Sequence, residues 1–348
     1  QRYLFRARLD GGGRPERLSP APQAGTHAYQ VAPGSRWAIH TFSRFGAPPA
    51  VDLVSLPDHR VRRTLAGNAG LAAKVAALAP VASEFVRVEV RDGVRLDGWV
   101  MKPAGFDPRR RYPVLFHVYG EPASQTVLDA WGGRDHLWHR MLAQQGYVVV
   151  SFDNRGTPAP AGRPRRKIIH GRLGPLHTAD QAAAARVVRS WPWVDTARVA
   201  IWGWSGGGET SLNALFRYPE LFGTAMAVAP LVDFRYYDTV YQERYMGLPQ
   251  DAPEAYRTGS PLAWADRLRG NLLVVHGTGD DNVHYQNTEA LVDAQVAANR
   301  ALQMMAYPKR AHGIHEGRNT SRALFQLLTP YLREHLPAGP ATQPGERV

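Results

Sequence analysis

The stretch VAIWGWSGGGETSLNALFR, residues 199–217, decides the fold. Its first residues, 199–202, predict a short buried strand, residues 203–207 match the pattern G-x-S-x-G, and a helix is predicted from Gly208. This order is typical of a nucleophile elbow, a sharp turn that presents a serine hydroxyl to a base and a substrate. The helix that follows would point free backbone N–H groups at negative charge developing on a substrate. A glycine-rich turn with an incidental serine explains these five residues about as well, so the rest of the chain decides between the two.

Strands alternate with helices through residues 81–336, which predicts an α/β fold with a mostly parallel, doubly wound sheet. Apolar runs such as 147–150 fit strands that are covered on both faces. This region begins with a predicted hairpin over 85–100, and the alternation of strands and helices follows the hairpin. The predicted strands are 113–118, 147–152, 199–202, 224–229, 272–276 and 302–307, and the predicted helices are 134–145, 177–191, 208–218, 285–299 and 319–335.

Residues 1–80 carry a different pattern, in which short β-like runs are separated by turn-forming residues. This spacing favours an antiparallel meander of the kind found in propeller blades, and at roughly 40–45 residues per blade the segment holds at most two. Two blades cannot close a ring, so either further blades precede Gln1 or the segment packs in another way. A short helical linker is predicted over 71–78, and the tail at 337–348 is predicted to be disordered.

The composition excludes several classes of site and partner. The net charge is +12, but the basic residues are scattered apart from runs at 109–111 and 163–167, which favours solvated charged faces over a nucleic-acid partner. The absence of cysteine excludes disulfides, thiolate catalysis and cysteine metal sites. No stretch reaches the roughly 18 apolar residues of a membrane span, and no signal peptide is recognised. We expect neither a metal ion nor an organic cofactor.

If Ser205 is a nucleophile, an acid should follow it in the chain. Asp280 lies in the loop beyond the buried strand 272–276, at the edge where parallel sheets gather functional groups. Its neighbour Asp281 is the alternative acid, and we interpret it as a turn or capping residue. Without a partner histidine, both aspartates would be ordinary loop-capping carboxylates.

A histidine in the right place comes next in the chain. His312 follows the strand 302–307 and so lies at the same sheet edge, whereas His315 is interpreted as a surface histidine. His312 would take the proton of Ser205 while Asp280 holds the other ring nitrogen. The serine, the acid and the histidine each follow their own strand, in the expected order. This arrangement argues against an incidental turn.

Five segments carry a resemblance to a known family: VYGEP at 118–122, SFDNRG at 151–156, AIWGWS at 200–205, YYDTVYQERYMGLP at 236–249 and HGTGDDNVH at 276–284. With them, the chain from about 85 to 336 resembles the prolyl oligopeptidase family of serine peptidases, and within it the dipeptidyl peptidase IV branch. The segment at 236–249 is specific to that branch. A weaker match upstream corresponds to the end of the family's β-propeller, and the implied fold of 81–336 is the α/β-hydrolase fold.

The resemblance implies a role for each matching residue. Ser205, Asp280 and His312 would form the catalytic triad, and Tyr119 with the backbone N–H of Gly206 would form the oxyanion hole. A phenol at a strand end can donate a hydrogen bond where negative charge develops. The alternative for Tyr119 is an aromatic residue that closes the sheet edge.

The resemblance also implies a pocket for proline at the residue before the cleaved bond. A proline ring is flat, apolar and lacks an N–H, so aromatic packing replaces the missing hydrogen bond. The alternative is a set of ordinary core aromatics. The implied pocket residues are Tyr237, Tyr241, Leu231, Phe234 and Val283, and Asn282 would hydrogen-bond the carbonyl one position further back.

The implied function is hydrolysis of the peptide bond after proline or alanine, which releases amino-terminal dipeptides. The implied substrates are peptides with proline in second position. A homodimer is left open, and the resemblance favours a periplasmic or extracellular location without settling it against the cytoplasm. The alternatives are a carboxylesterase or acyl-peptide hydrolase with the same triad and, in another class, a non-catalytic interaction protein on a hydrolase scaffold. Two positions depart from the family, which commonly carries aromatic residues at Gly206 and Glu209. The family's acidic pair for the free amino terminus belongs to a part of the propeller outside this sequence.

Overall fold

The structure, a computed structural model, describes residues 1–341, which divide into two compact units. The first unit is Gln1–Pro80 with Leu128–Met141, and the second is Val81–Val127 with the residues from Leu142 onward. Residues 128–141 belong to the first unit, although they lie within the segment 81–336 that was predicted as one domain. Residues 342–348 of the predicted tail lie outside the described residues.

The first unit is built on an antiparallel sheet. Strands β1 (Phe5–Arg6) and β2 (Glu16–Arg17) form a separate two-stranded ribbon. A four-stranded meander follows, in which neighbours in sequence pair antiparallel, and the prediction of antiparallel β-structure in this part of the chain is confirmed. The meander consists of β3 (Thr26–Val31), β4 (Trp37–Arg44), β5 (Ala47–Ser55) and β6 (Val61–Ala66), and helix α1 (Ala69–Ala76) comes after it.

The second unit contains an eight-stranded, mostly parallel sheet, counted over residues 1–341. Its strands in chain order are β7 (Ala82–Arg91), β8 (Val94–Lys102), β9 (Tyr112–Val118), β10 (Val148–Asp153), β11 (Val194–Trp204), β12 (Thr224–Val228), β13 (Asn271–Gly277) and β14 (Gln303–Tyr307). They lie in the order β14-β13-β12-β11-β9-β10-β8-β7, in which β8 pairs antiparallel with both β10 and β7 and the other neighbouring strands pair parallel. The predicted α/β-hydrolase architecture is confirmed.

Helices connect the parallel strands. They are α2 (Gly133–Gln144), α3 (Arg163–Lys167), α4 (Pro175–Arg189), α5 (Gly206–Arg217), α6 (Thr239–Met246), α7 (Pro253–Gly259), α8 (Gln286–Ala297) and α9 (Thr320–His335). The five helices predicted from the sequence are present. Helix α5 begins at Gly206 rather than at the predicted Gly208, because Ser205 itself is the residue that caps it. None of the helices within residues 1–341 is long and apolar enough to cross a membrane.

The core of the second unit packs on this sheet and holds its neighbouring strands in register. The large side chains of Phe116, Phe152 and Trp202, from three neighbouring strands, are buried almost completely. Because the strands β9 to β14 are parallel, their carboxyl ends meet at one edge of the sheet. Four residues each come after the end of one of these strands, namely Tyr119, Ser205, Asp280 and His312.

Candidate active site

Ser205 sits in a strained turn between β11 and α5. Its φ of 60° and ψ of −120° lie in a region that residues other than glycine rarely adopt, and such strain concentrates at functional sites. The Ser205 N–H donates to the carbonyl of Val228 at 2.8 Å. A Cβ on Gly203 or Gly207 would lie 2.5 Å or 2.2 Å from the carbonyl oxygen of Val118. Only glycine therefore lets this turn approach β9 so closely.

Asp280 and His312 form a hydrogen-bonded pair beyond β13 and β14. The Nδ1 atom of His312 lies 2.8 Å from Oδ2 of Asp280, and the Asp280 side chain is fully buried. The backbone N–H groups of Asn282 and Val283 both donate to Oδ1 at 2.9 Å. The neighbouring Asp281 is exposed.

The surroundings of Asp280 favour its ionised form. Burial alone would raise the pKa of this carboxyl, but hydrogen bonds from His276, His312 and the backbone outweigh burial, so the pKa lies well below its ordinary value. The carboxylate therefore stays negative and can stabilise a positive charge on His312.

His276, the last polar residue of β13, is a partner of Asp280 that the sequence analysis missed. Its Nε2 atom lies 2.8 Å from the carbonyl oxygen of Val283 and 3.1 Å from Oδ2 of Asp280. A carbonyl only accepts, so Nε2 carries a proton that it shares between these two oxygens. Nδ1 lies 2.7 Å from the hydroxyl of Thr288. A histidine ending an otherwise apolar strand was the feature that could have revealed this contact.

The loop of His312 is fixed beside the serine turn. The indole N–H of Trp204, the residue before Ser205, donates to the backbone carbonyl of His312 at 2.9 Å. The Ser205 hydroxyl lies near the Tyr119 phenol and partly offsets the rise in the pKa of that phenol. Among residues 1–341 no hydrogen bond joins the side chains of Ser205 and His312 directly, and such bonds are often long in a free enzyme. The exposed His315 lies beside the carboxylate of Glu316.

Two hydrogen-bond donors lie beside Ser205. Tyr119 directly follows β9, and burial, with the nearby Glu121 carboxyl, raises the pKa of its phenol, so the proton stays on the oxygen. Gly206 is the first residue of α5, and the first N–H groups of a helix have no partner within it. Both donors can therefore face an oxygen atom held near the serine.

The five residues predicted to line the proline pocket lie close together, and Asn282 lies beside them. The side chains of Leu231, Phe234 and Val283 form a buried apolar cluster against which Tyr237 packs. The rings of Tyr237 and Tyr241 meet edge to face, with centroids 5.4 Å apart. The Tyr237 hydroxyl also donates to Oδ1 of Asn282 at 2.7 Å, which leaves the Asn282 amide N–H groups to face elsewhere.

Glu121 is a second residue that the sequence analysis missed. Its Oε2 accepts from the Tyr241 hydroxyl at 2.8 Å, and its side chain is buried. A Cβ on Gly206 would lie 2.8 Å from its carboxyl carbon, so glycine at 206 leaves the space that Glu121 fills. Burial and the nearby Glu209 raise the pKa of Glu121 to about 7. The pocket wall therefore holds an ionisable group.

The unusual Glu209 belongs to a buried ion pair. Its Oε2 lies 2.9 Å from Nε2 of His177, and both side chains are fully buried. Hydrogen bonds from the hydroxyl of Thr210 and the amide of Asn213 complete its partners. Burial would lower the pKa of His177, but the Glu209 carboxylate outweighs burial and raises it. The carboxylate of Glu209, in the first turn of α5, is thus bound by side chains inside the fold and does not face a substrate.

Histidine and carboxylate side chains meet here through hydrogen bonds. In the described part of the chain, no group of three or more His, Asp or Glu side chains is arranged to hold a metal ion. The two imidazoles on Asp280 share one carboxylate oxygen, an arrangement that orients the rings and leaves His312 with an open Nε2. An imidazole held by an ionised carboxylate is able to act as a base.

Comparisons with known proteins find a matching family profile, related sequences and a related structure. The sequence profile of the prolyl oligopeptidase family matches residues 137–338. The chain is 35% identical over 341 residues to a probable dipeptidyl-aminopeptidase B of Uncinocarpus reesii and 38% identical over 338 residues to that of Emericella nidulans, in each case over 95% of this chain and 36% of the relative. A crystal structure of Porphyromonas gingivalis dipeptidyl peptidase 4 superimposes with a TM-score of 0.89 at 37% identity, over 96% of this chain and 46% of that one. The chain thus spans about a third of the length of these curated relatives.

Proposed function

The chain belongs to the prolyl oligopeptidase family, and from this premise we propose that it is a serine peptidase of the dipeptidyl peptidase type. Its substrates are peptides with proline, or alanine, as the second residue, and it hydrolyses the bond after that residue. The observation that carries the proposal is the Asp280–His312 hydrogen bond, held beside the strained Ser205 turn by the indole of Trp204. The names of the relatives support the same class of reaction.

The proton path of the proposed reaction follows from the hydrogen bonds. Because a carboxylate can only accept, Nδ1 of His312 donates to Asp280, and Nε2 is the nitrogen that faces Ser205. Nε2 takes the serine proton as Oγ attacks the substrate carbonyl, and later gives it to the leaving amine. Asp280 remains ionised because its pKa is low, and its charge stabilises the imidazolium.

The two donors beside Ser205 stabilise the intermediate of the proposed reaction. The attack turns the carbonyl oxygen into an oxyanion, to which the Tyr119 hydroxyl and the Gly206 N–H donate. Tyr119 can do so because its raised pKa keeps the phenol protonated. Water then attacks the acyl-enzyme with His312 as base, and Ser205 is regenerated.

The tyrosine pocket supplies the specificity of the proposed reaction. Tyr237 and Tyr241 present aromatic surface to the proline ring, while Leu231, Phe234 and Val283 close the pocket with apolar groups. The hydrogen bond from Tyr237 orients the Asn282 amide, so its N–H groups donate to the carbonyl of the residue before proline.

An anilide panel tests this proposal. The full chain is assayed with Gly-Pro, Ala-Pro and Gly-Ala p-nitroanilides, with the same compounds blocked at the amino end, and with a p-nitrophenyl ester. We expect hydrolysis of the free anilides and loss of turnover in Ser205→Ala with an unchanged Tm. Rapid ester hydrolysis with every anilide untouched would instead identify a carboxylesterase, and residual anilide turnover in Ser205→Ala would remove the serine from its role.

A further inference from the structure

A cleft with a strongly basic lining lies next to the tyrosine pocket. Its volume is about 620 Å³, which is within the range of binding sites for small ligands and peptide side chains. Four cationic side chains line it, together with His170: Arg163, Arg166 and Lys167 from α3, and Arg244 from α6. In the part of the chain that the structure describes, no Asp or Glu lines this cleft.

Several arginines of the second unit have an acidic partner. Arg155 pairs with Asp180 at 2.7 Å, and Arg257 pairs with Glu254 at 2.6 Å. Within residues 1–341, by contrast, the four lining cations form no ion pair within 4.0 Å. Like charges gathered around one concave space repel one another, so an anion in that space would be stabilised by all of them.

The cleft is held open by contacts that do not involve its cations. The guanidinium of Arg165, between the lining residues of α3, donates to the backbone carbonyls of Arg95 at 2.8 Å and Asp153 at 3.2 Å. The N–H of Gly171 donates to the carbonyl of Tyr245 at 2.7 Å, which ties the segment after α3 to α6. A preformed site loses less entropy on binding than a flexible one.

The cleft shares a wall with the pocket for the substrate. Tyr245 lines the cleft, and its ring packs edge to face on Tyr241, with centroids 5.0 Å apart. Pro122, which also lines the cleft, follows Glu121, the residue bound by the Tyr241 hydroxyl. A peptide whose proline occupies the pocket therefore carries its neighbouring side chains past this cleft.

We infer that the basic cleft is a subsite for an acidic side chain of the peptide substrate, lying within two residues of the proline. The inference rests on the proposed function for its substrate and adds a charge preference to it. Arg166 of α3 and Arg244 of α6 are the residues that bind the carboxylate, and Lys167 and Arg163 add to the positive field.

Binding to an inactive chain tests the inference. The ligands are amide-capped pentapeptides with proline in second position. Each carries one Asp at the first, third or fourth residue, and a matched peptide carries Asn at the same residue. Calorimetry measures their Kd for Ser205→Ala. We expect at least one Asp peptide to bind about fivefold more tightly than its Asn counterpart, as expected for a few solvent-exposed charge pairs. The preference should decrease with added salt.

Two variants assign that preference to the cleft. Arg166→Gln/Arg244→Gln, made in the Ser205→Ala chain, should bring the ratio of the Asp and Asn dissociation constants close to one. The matched control Arg269→Gln removes an exposed arginine that precedes β13 at the opposite sheet edge, and it should keep the ratio of the parent.

The outcomes separate this inference from the proposed function. Equal affinities for Asp and Asn peptides at all three positions, or a preference that survives in the double variant, overturn the inference while anilide hydrolysis still stands. A charge preference lost in the double variant, in a chain that cleaves no anilide, supports the cleft and overturns the peptidase proposal instead. If the double variant unfolds, the salt dependence of the parent decides, since a preference unaffected by salt would exclude the basic cleft.

Discussion

Each of the two units buries a cluster of histidines, and the clusters differ in their acidic partners. In the first unit, His27 and His40 stack in the meander with ring nitrogens 2.9 Å apart, and His59 meets His40 edge to face. Burial, together with the neighbouring His59 and His27, lowers the pKa of His40 to about 4. These rings are therefore neutral aromatic packing at ordinary pH.

In the second unit, three histidines near the serine turn meet a carboxylate. His276 and His312 share Asp280, and His177 pairs with Glu209, which raises its pKa in spite of full burial. The same side chain is thus inert where only other rings surround it and can hold a proton where an ionised carboxylate faces it. The position of the acid, rather than the number of histidines, separates packing from chemistry in this molecule.

Removing the base of the second cluster should have the largest effect. His312→Gln takes away the proton acceptor, so kcat on Ala-Pro anilide should fall by about 10⁴-fold, as for other triad members. The matched control is His315→Gln, which changes an exposed histidine three residues away and should leave kcat within twofold of the parent. Equal losses in the two variants would show that the pairing with Asp280 does not distinguish a base from a surface histidine.

The next largest effect should come from the oxyanion donor. Tyr119→Phe removes one hydroxyl and keeps the ring, so kcat should fall by roughly 10²–10³-fold with little change in Tm. Steady-state kinetics and a thermal melt measure both quantities. An unchanged kcat would assign Tyr119 to closing the sheet edge.

The histidines of the first unit should affect stability only. His40 titrates near 6.5 when unfolded and at about 4 when folded, so its contribution is complete above pH 6.5 and is lost as the pH falls from 6.5 to 4. The free energy of unfolding should decrease by about 3 kcal/mol across that window, and by less in His40→Phe. Denaturant titrations at several pH values measure the difference. A parent protein whose stability is constant over the window would contradict the neutral packing role.

The smallest of these effects should come from His276. Its N–H donates to the ionised Asp280, so His276→Phe should lower kcat about tenfold, the value of one hydrogen bond to a charged group, while KM stays near that of the parent. His276→Gln keeps an N–H donor and should recover part of the loss. A change in KM alone, or no recovery by glutamine, would give His276 a purely structural role.

The sequence was sufficient to predict the parts of the site that follow from chain order. Ser205, Asp280 and His312 each follow their own strand, and parallel strands bring such loops to one edge, so their neighbourhood could be predicted without coordinates. The α/β-hydrolase fold followed from the same alternation of strands and helices and is confirmed. The short helices α3, α6 and α7 were missed because tertiary packing rather than a long apolar period stabilises them.

The partners of those residues could not be predicted, because they depend on how closely distant segments pack and not on the order of residues along the chain. Glu121 reaches Tyr241 only because Gly206 leaves space for it, and that space is a property of three segments packed together. Glu209 was noted as unusual, yet its partner His177 lies 32 positions away on α4. No pattern within the sequence relates these positions.

The central claim, that Ser205 is activated by the His312–Asp280 pair, is tested most directly by covalent labelling. A fluorophosphonate probe is reacted with the parent and with His312→Gln, and the modified residue is located by mass spectrometry. We predict that the probe labels Ser205 in the parent and reacts at least about 10³-fold more slowly in the variant, since an unactivated hydroxyl is a weak nucleophile. Labelling of Ser205 at the same rate in both proteins, or no labelling of Ser205 in the folded parent, would contradict the account.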